Sequence, residues 1–325
     1  MKVKKRIQLL FIGISILLLI AIFLSLAVGR YSIVWQDILK PGMSQKVFLT
    51  LRLPRTGMVL LAGIGLGVAG SAYQMVFQNP LASPDVIGIS SGASVGAAIA
   101  ILYLETGISV VALSSFIGGV VAVFVALALS SVTRDKGVAS IVLSGIVVNS
   151  LTQAVLMLLK LTADPEKELA AIEFWTMGSF ADITVSKFMG VLPWVLIGLI
   201  GLLFFHRHLL LLGLNEDDAT MLGVPVIWAR WGILLMATLI TGSIVSVAGL
   251  IAFAGLLAPH IARLMMQSNR FSTVIMSGFV GGCLLLYSDV IARIAGSGEI
   301  PISIVTSLIG APFLCWFLWK SGNRL

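Results

Sequence analysis

The chain has 325 residues, of which 58% are hydrophobic and only 11% charged, where an ordinary soluble domain carries roughly 25% charged residues. With a mean hydropathy of +1.08, too few charges remain to coat a globular core, which excludes a soluble enzyme, a nucleic-acid-binding domain and a disordered chain. The net charge of +7 is read as loops facing anionic lipid rather than as a nucleic-acid footprint.

A membrane-crossing helix needs about 20 predominantly apolar residues. Ten such segments run along the chain, at 7–28, 57–77, 89–104, 111–131, 138–161, 189–205, 229–248, 250–266, 273–292 and 303–319. The fold class expected is all-α, a polytopic bundle of about ten transmembrane helices forming one domain over 1–325. The third and eighth segments are short, or are interrupted by Gly255 and Pro259, which a membrane tolerates only where other protein covers the freed backbone. Lys2, Lys4, Lys5 and Arg6 precede the first segment. Its apolar run is too long for a signal core, so it reads as a first span with the N-terminus cytoplasmic. Ten spans then return the C-terminus to the cytoplasm, and the Lys/Arg bias, carried by that first cluster, points the same way.

Cys283 and Cys315 lie in apolar runs and read as packing residues, not a disulfide framework. His206, His208 and His260 form no metal site of recognisable spacing. Neither a nucleotide-binding GxxxxGK[ST] loop nor a nucleophilic triad nor HExxH appears, so no catalytic residue, metal or cofactor is assigned, and ATP, if used, must be bound by another chain. Gly63 and Gly67, and likewise Gly92 and Gly96, are four apart. That spacing lets helix backbones approach closely, either within the bundle or across a dimer face.

Four polar places stand out in chain order. Arg52 and Arg55 flank Pro54, either as interfacial anchors or as a cationic patch that grips the carboxylates of an outer partner. The stretch 78–85, with Asn79, Leu81 and two prolines, breaks the chain before the small polar residues of 88–94, which suits either helix capping or a water-accessible, gated region. The segment 213–226 reads as a short surface helix. Asn215 is its N-cap, Glu216, Asp217 and Asp218 fill the dipole-favoured first turn, and Ala219, Thr220, Met221 and Leu222 lead to a left-handed Gly223 before Pro225. It is either a solvated connector or a rigid docking element. Asp289 and Arg293 are four apart and can pair on one helix face. An ionisable group inside a membrane has a partner or a task, so a structural pair and a proton relay both remain open.

Taken together, RLPR at 52–55, QNPLASPDVIGISSGASVGA at 78–97, FWTMGSF at 174–180, LGVPV at 222–226, AGLLAPHIARL at 254–264, SDVIAR at 288–293 and EIPISIVTSLIGAPFLCWFL at 299–318 resemble the permease subunit of bacterial iron-chelate and cobalamin ABC importers, the FecCD-type family. The pieces keep the family's order and cover nearly the whole chain. The resemblance implies the type II importer architecture, with two permease subunits, identical or sister, two cytoplasmic ATPase subunits and an external substrate-binding protein. It places Arg52, Arg55 and Arg293 against acidic residues of the binding protein. It makes the helix within 213–226 the coupling element in an ATPase groove, Asn79 and Leu81 gate positions, and the fifth span with the helix near 170–180 moving parts of the gate. One departure is the loop Ser268-Asn269-Arg270-Phe271-Ser272, where only the arginine of the family's usual turn is kept, so that loop's usual contacts are not assigned.

The expectation is thus a permease subunit, not itself an enzyme, in a bacterial cytoplasmic membrane. It would import a ferric siderophore by alternating access, with haem and cobalamin as alternative cargoes and an ion-coupled carrier using Asp289 as the alternative of a different class.

Overall fold

The computed structural model describes residues 2–29, 31–32, 35–38, 40–104, 108–132, 137–213, 216–223, 225–268, 270–295 and 298–322. Every regular element among them is helical. In chain order these are α1 (Lys2–Ala27), α2 (Met43–Val47), α3 (Leu53–Val76), α4 (Ile89–Tyr103), α5 (Ile108–Val132), α6 (Val138–Thr162), α7 (Glu168–Met177), α8 (Val185–Phe204), α9 (His206–Leu212), α10 (Glu216–Met221), α11 (Val226–Ala248), α12 (Ala254–Met266), α13 (Phe271–Ile294) and α14 (Ile302–Gly322). A π-helical turn, Phe48–Arg52, joins α2 to α3. Seven of the described helices are long and apolar enough to cross a membrane. Helices α4, α12 and α14 occupy the other three segments expected from the sequence, and α4 and α12 are the short pair foreseen at 89–104 and 250–266, with 15 and 13 residues.

Membrane helices gain no hydrophobic free energy by meeting one another, so close van der Waals packing decides which ones pair. The Gly63/Gly67 spacing serves that purpose inside the bundle. A methyl placed on Gly63 would overlap the Gly281 carbonyl, one on Gly67 would overlap the Ser277 carbonyl, and Ser277 donates its hydroxyl to the Gly67 carbonyl. Helices α3 and α13 therefore touch backbone to backbone. Gly92 and Gly96 do the same for α4 against Gly118 and Ser114 of α5. Around the α3–α13 pair sit α11, α12 and α8, and α3, α11 and α13 are the most enclosed of the long spans. Helix α1 lies outside, attached to α13 by the Phe11–Phe279 edge contact and by Tyr287, whose hydroxyl donates to the Leu17 carbonyl at 3.2 Å.

Where helices break, the freed backbone finds partners. Ser179 N–H donates to the Ala248 carbonyl (2.8 Å), and Ile302 N–H to the Gly178 carbonyl (3.0 Å). The Ser303 hydroxyl donates to the Leu250 carbonyl (2.7 Å) while accepting from the Ala252 N–H (3.1 Å). The ends of α7 and α11 and the start of α14 thus form one satisfied junction, as non-helical backbone at membrane depth requires.

Candidate functional site

At the α3 N-terminus, four pieces of chain converge on three arginines. Arg52 follows from the π-turn, Arg55 from the first turn of α3, Asp289 and Arg293 from the last turns of α13, and Glu299 from the approach to α14. Arg55 donates through Nε and Nη2 to Asp289 Oδ1 (3.1 and 2.8 Å) and through Nη1 to both oxygens of Glu299 (3.0 and 2.9 Å). The i,i+4 pair foreseen in the sequence forms, since Arg293 donates to Asp289 Oδ2. Further donors of Arg52 and Arg293 close the end of α1, while Arg293 Nε has no partner among the described residues. Arg52 reaches the Leu26 carbonyl at 2.6 Å and also those of Ala27 and Tyr31, while Arg293 reaches Ser25 O (2.9 Å), Val28 O (3.2 Å) and Ser25 Oγ (2.7 Å). Cations at a helix C-terminus satisfy carbonyls that have no partner within the helix.

Arg52, Arg55 and Arg293 are therefore brought together, but each is at least nine-tenths buried and directed into its own chain. Asp289 is held by two guanidiniums and is 1% exposed. Three guanidiniums meet two carboxylates, and no carboxylate among the described residues lies within ion-pair distance of Arg52, so the cluster keeps one surplus positive charge. Arg52, Arg55, Arg293 and Glu299 share the wall of a cavity of about 230 Å³. Glu299 is its most open charged member, with 28% of its side chain exposed.

At the other end of α3 lies the loop with Asn79 and Leu81. Asn79 Oδ1 accepts the Leu81 N–H at 2.9 Å, a local turn that holds Leu81 48% exposed. Gln78, in a left-handed conformation (φ 48°), donates its side-chain N–H to the carbonyl of Leu212, the last residue of α9, at 3.2 Å. One turn earlier on α3, Gln74 donates to Leu256 O (3.3 Å) and accepts from Arg263, binding α3 to α12. The sequence reading assigned neither glutamine nor Glu299 a role. The only signal for the pair was their i,i+4 spacing at the end of an apolar span.

Helix α10 occupies the segment read as a docking helix. Asn215 lies outside the described residues, as do the side chains of Glu216, Asp217 and Asp218. Gly223 takes the left-handed conformation expected of it (φ 78°), with its N–H on the Thr220 carbonyl at 2.9 Å. Ala219 is fully buried toward the bundle, whereas Met221 and Leu222 are 86% and 62% exposed and Thr220 is exposed as well. Met221 at the end of α10 and Leu222 just beyond it thus present two large apolar side chains outward. Among the described residues no group of three or more His, Cys, Asp or Glu could hold a metal ion.

A bundle with seven helices long and apolar enough to cross a membrane is that of a multi-pass membrane protein. The sequence pattern of the FecCD transport family matches residues 17–320, and the chain belongs to that family. Its members are the membrane permeases of ABC transporters. The chain is 33% identical to the molybdate import system permease protein MolB of Haemophilus influenzae, covering 95% of this chain and 94% of that one. It is also 33% identical to the iron(3+)-hydroxamate import system permease protein FhuG of Bacillus subtilis, covering 99% and 100%. A solved structure described as an inward-facing conformation of a metal-chelate type ABC transporter superposes with a TM-score of 0.87 at 32% identity, over 96% of this chain and 99% of that one. The all-α bundle expected from the sequence is thus the architecture of an ABC importer permease.

Proposed function

We propose that this permease imports a ferric siderophore, in an assembly with a second permease subunit, two ATPases on the side of α10 and a substrate-binding protein on the side of Arg52 and Arg55. The full-length likeness to a hydroxamate permease carries the cargo reading. The likeness to a molybdate permease names its competitor. The bundle places α10 and the arginine cluster at opposite ends of α3, so the two partners would act across the membrane from each other. In this arrangement both termini are cytoplasmic.

Helix α6 supports a second permease subunit. Its outward surface carries Leu143, Leu151, Met157 and Leu161, but also Ser150 and Gln153 near mid-span, all exposed. An amide facing hydrocarbon is costly. A second copy packed along α6 would enclose Gln153 in a polar central path. Alternating access then runs as follows. ATP draws the ATPases together, α10 moves, the Asn79–Leu81 loop opens or closes, and cargo delivered from the binding protein passes between the two permeases. Such a path needs no high-affinity site, because selection occurs in the binding protein. ATP hydrolysis belongs to the partner chains.

The test is uptake in cells lacking the gene, using labelled ferric hydroxamates, ferric catecholates, haem, cobalamin and molybdate. Loss of ferric siderophore uptake, restored by the gene only with an intact ATPase partner, is expected. Loss of molybdate uptake alone would replace the cargo and keep the permease.

A further inference from the structure

The end of α5 and the starts of α6 and α11 enclose a cavity of about 320 Å³ that the transport reading leaves without a task. Its wall includes Ser130 and Ser131 from α5, Ile141 from α6, and Trp228, Arg230 and Trp231 from α11. The cavity is almost wholly apolar except where Arg230, 2% exposed, enters it. Its depth follows from the helices. Twenty-five residues of α5 span about 37 Å, more than the roughly 30 Å of hydrocarbon, so its last turn lies at the membrane boundary. Trp228, 80% exposed, and half-buried Trp231 stand at the same level, where indole rings prefer to lie.

We propose that this cavity is a binding site for one anionic phospholipid, with the phosphodiester on Arg230 and the upper acyl chain along Ile141 and the two tryptophans. An apolar slot with a guanidinium at its headgroup end matches the two halves of a phospholipid and neither half of a soluble anion. Arg230 is also engaged within the protein. A guanidinium has five N–H donors, enough to serve a phosphate beside an internal partner. Ser131 is exposed at the mouth and its hydroxyl proton is on the Ala128 carbonyl at 2.7 Å, so it adds an acceptor and no charge. A neutral lipid offers Arg230 a phosphate already paired with its own choline. An anionic lipid does not.

The experiment uses the full chain in detergent, titrated with phosphatidylglycerol or phosphatidylcholine of matched chains and read by native mass spectrometry. Phosphatidylglycerol is expected to bind about fivefold more tightly, the worth of one basic contact at a membrane surface. Arg230→Gln should remove that preference. Because Arg230 is buried, Ser131→Trp provides a second arm by filling the mouth from an exposed position, and it should lower retention of both lipids. Glycerol 3-phosphate, which has the anion without the chains, should displace nothing. Equal binding of the two lipids, phosphatidylglycerol retention unchanged in folded Ser131→Trp protein, or displacement by glycerol 3-phosphate would each overturn the proposal.

Discussion

The Gln78 side-chain amide donates to the Leu212 carbonyl across 3.2 Å, and this bond joins two parts of the chain 134 residues apart. Gln78 directly precedes Asn79, and Leu81 follows two residues later. Leu212 ends α9, four residues before α10 begins at Glu216. Leu209 and Leu212 are buried in the same apolar core as Met75 and Phe77, so α9 and the end of α3 form one stiff joint. If α10 is the coupling element proposed above, a push on it would reach the Asn79–Leu81 loop through these packed side chains and one directed hydrogen bond.

That joint predicts uncoupling. Gln78→Leu keeps the apolar volume but leaves the Leu212 carbonyl without this donor, a loss of about 1 kcal/mol or about fivefold in an equilibrium. The assembled transporter should retain ATP hydrolysis while ATP-driven uptake falls by at least that factor. A pair of spin labels at Leu81 in the two permeases should stop responding to ATP. An unchanged ratio of uptake to hydrolysis would show that the bond only packs the loop.

The exposed surface of α10 predicts where an ATPase sits. Met221→Glu and Leu222→Glu alter side chains that touch little of their own chain, so folding should change by no more than about 0.5 kcal/mol. Copurification of the ATPase should drop by roughly 30-fold if either is an anchor worth about 2 kcal/mol. Ala219 makes the contrast. It is fully buried against the bundle, so a charged residue there should lower the yield of folded permease itself. Full ATPase retention in both surface variants would remove α10 from that interface.

Much of this architecture could be read from the chain before its structure. Apolar length alone located the seven helices long enough to cross a membrane and the segments of α4, α12 and α14, because in lipid the helix is the only way a single segment can satisfy its own backbone. The four-residue glycine spacings located close contacts, and Gly223 the left-handed end of α10. What could not be read was how charges combine over distance. Arg55 and Glu299 are 244 positions apart, and Arg293 and Ser25 are 268. Arginines flanking a proline beside an apolar run look like surface groups, and nothing local says that the end of α1 will cover them. Helix α9, within the longer polar stretch at 206–228, was invisible for a related reason. Its His206-Arg207-His208 start reads as a loop, and its burial depends on the end of α3.

Asp289 predicts a stability effect rather than a transport-specific one. The carboxylate is shared by Arg55 and Arg293. Asp289→Asn would leave both guanidiniums buried with a neutral amide, which typically costs about 3–5 kcal/mol when one partner of a buried pair is removed. The expected result is a lower thermal midpoint and lower folded yield, with uptake per folded transporter conserved. A variant of normal stability that had lost uptake would revive the proton-relay reading.

Glu299 predicts the behaviour of the arginine cluster toward a binding protein. In the free permease, Arg55 holds Glu299 through both carboxylate oxygens, so an acidic partner must displace Glu299 or settle for the surplus charge near Arg52. Glu299→Gln removes the internal competitor and raises the local charge by one, while the Arg55–Asp289 pair keeps the fold. Binding-protein association should strengthen, by about fivefold for a displaced pair worth about 1 kcal/mol at a partly exposed site, and should become more sensitive to salt. Charge reversal at Arg55 would set a third carboxylate against Asp289 and Glu299, so it should lower the folded yield itself rather than test docking. If Glu299→Gln leaves affinity and salt dependence unchanged, the three arginines serve only to fasten α1, α3 and α13 together, and the docking surface lies elsewhere on that face.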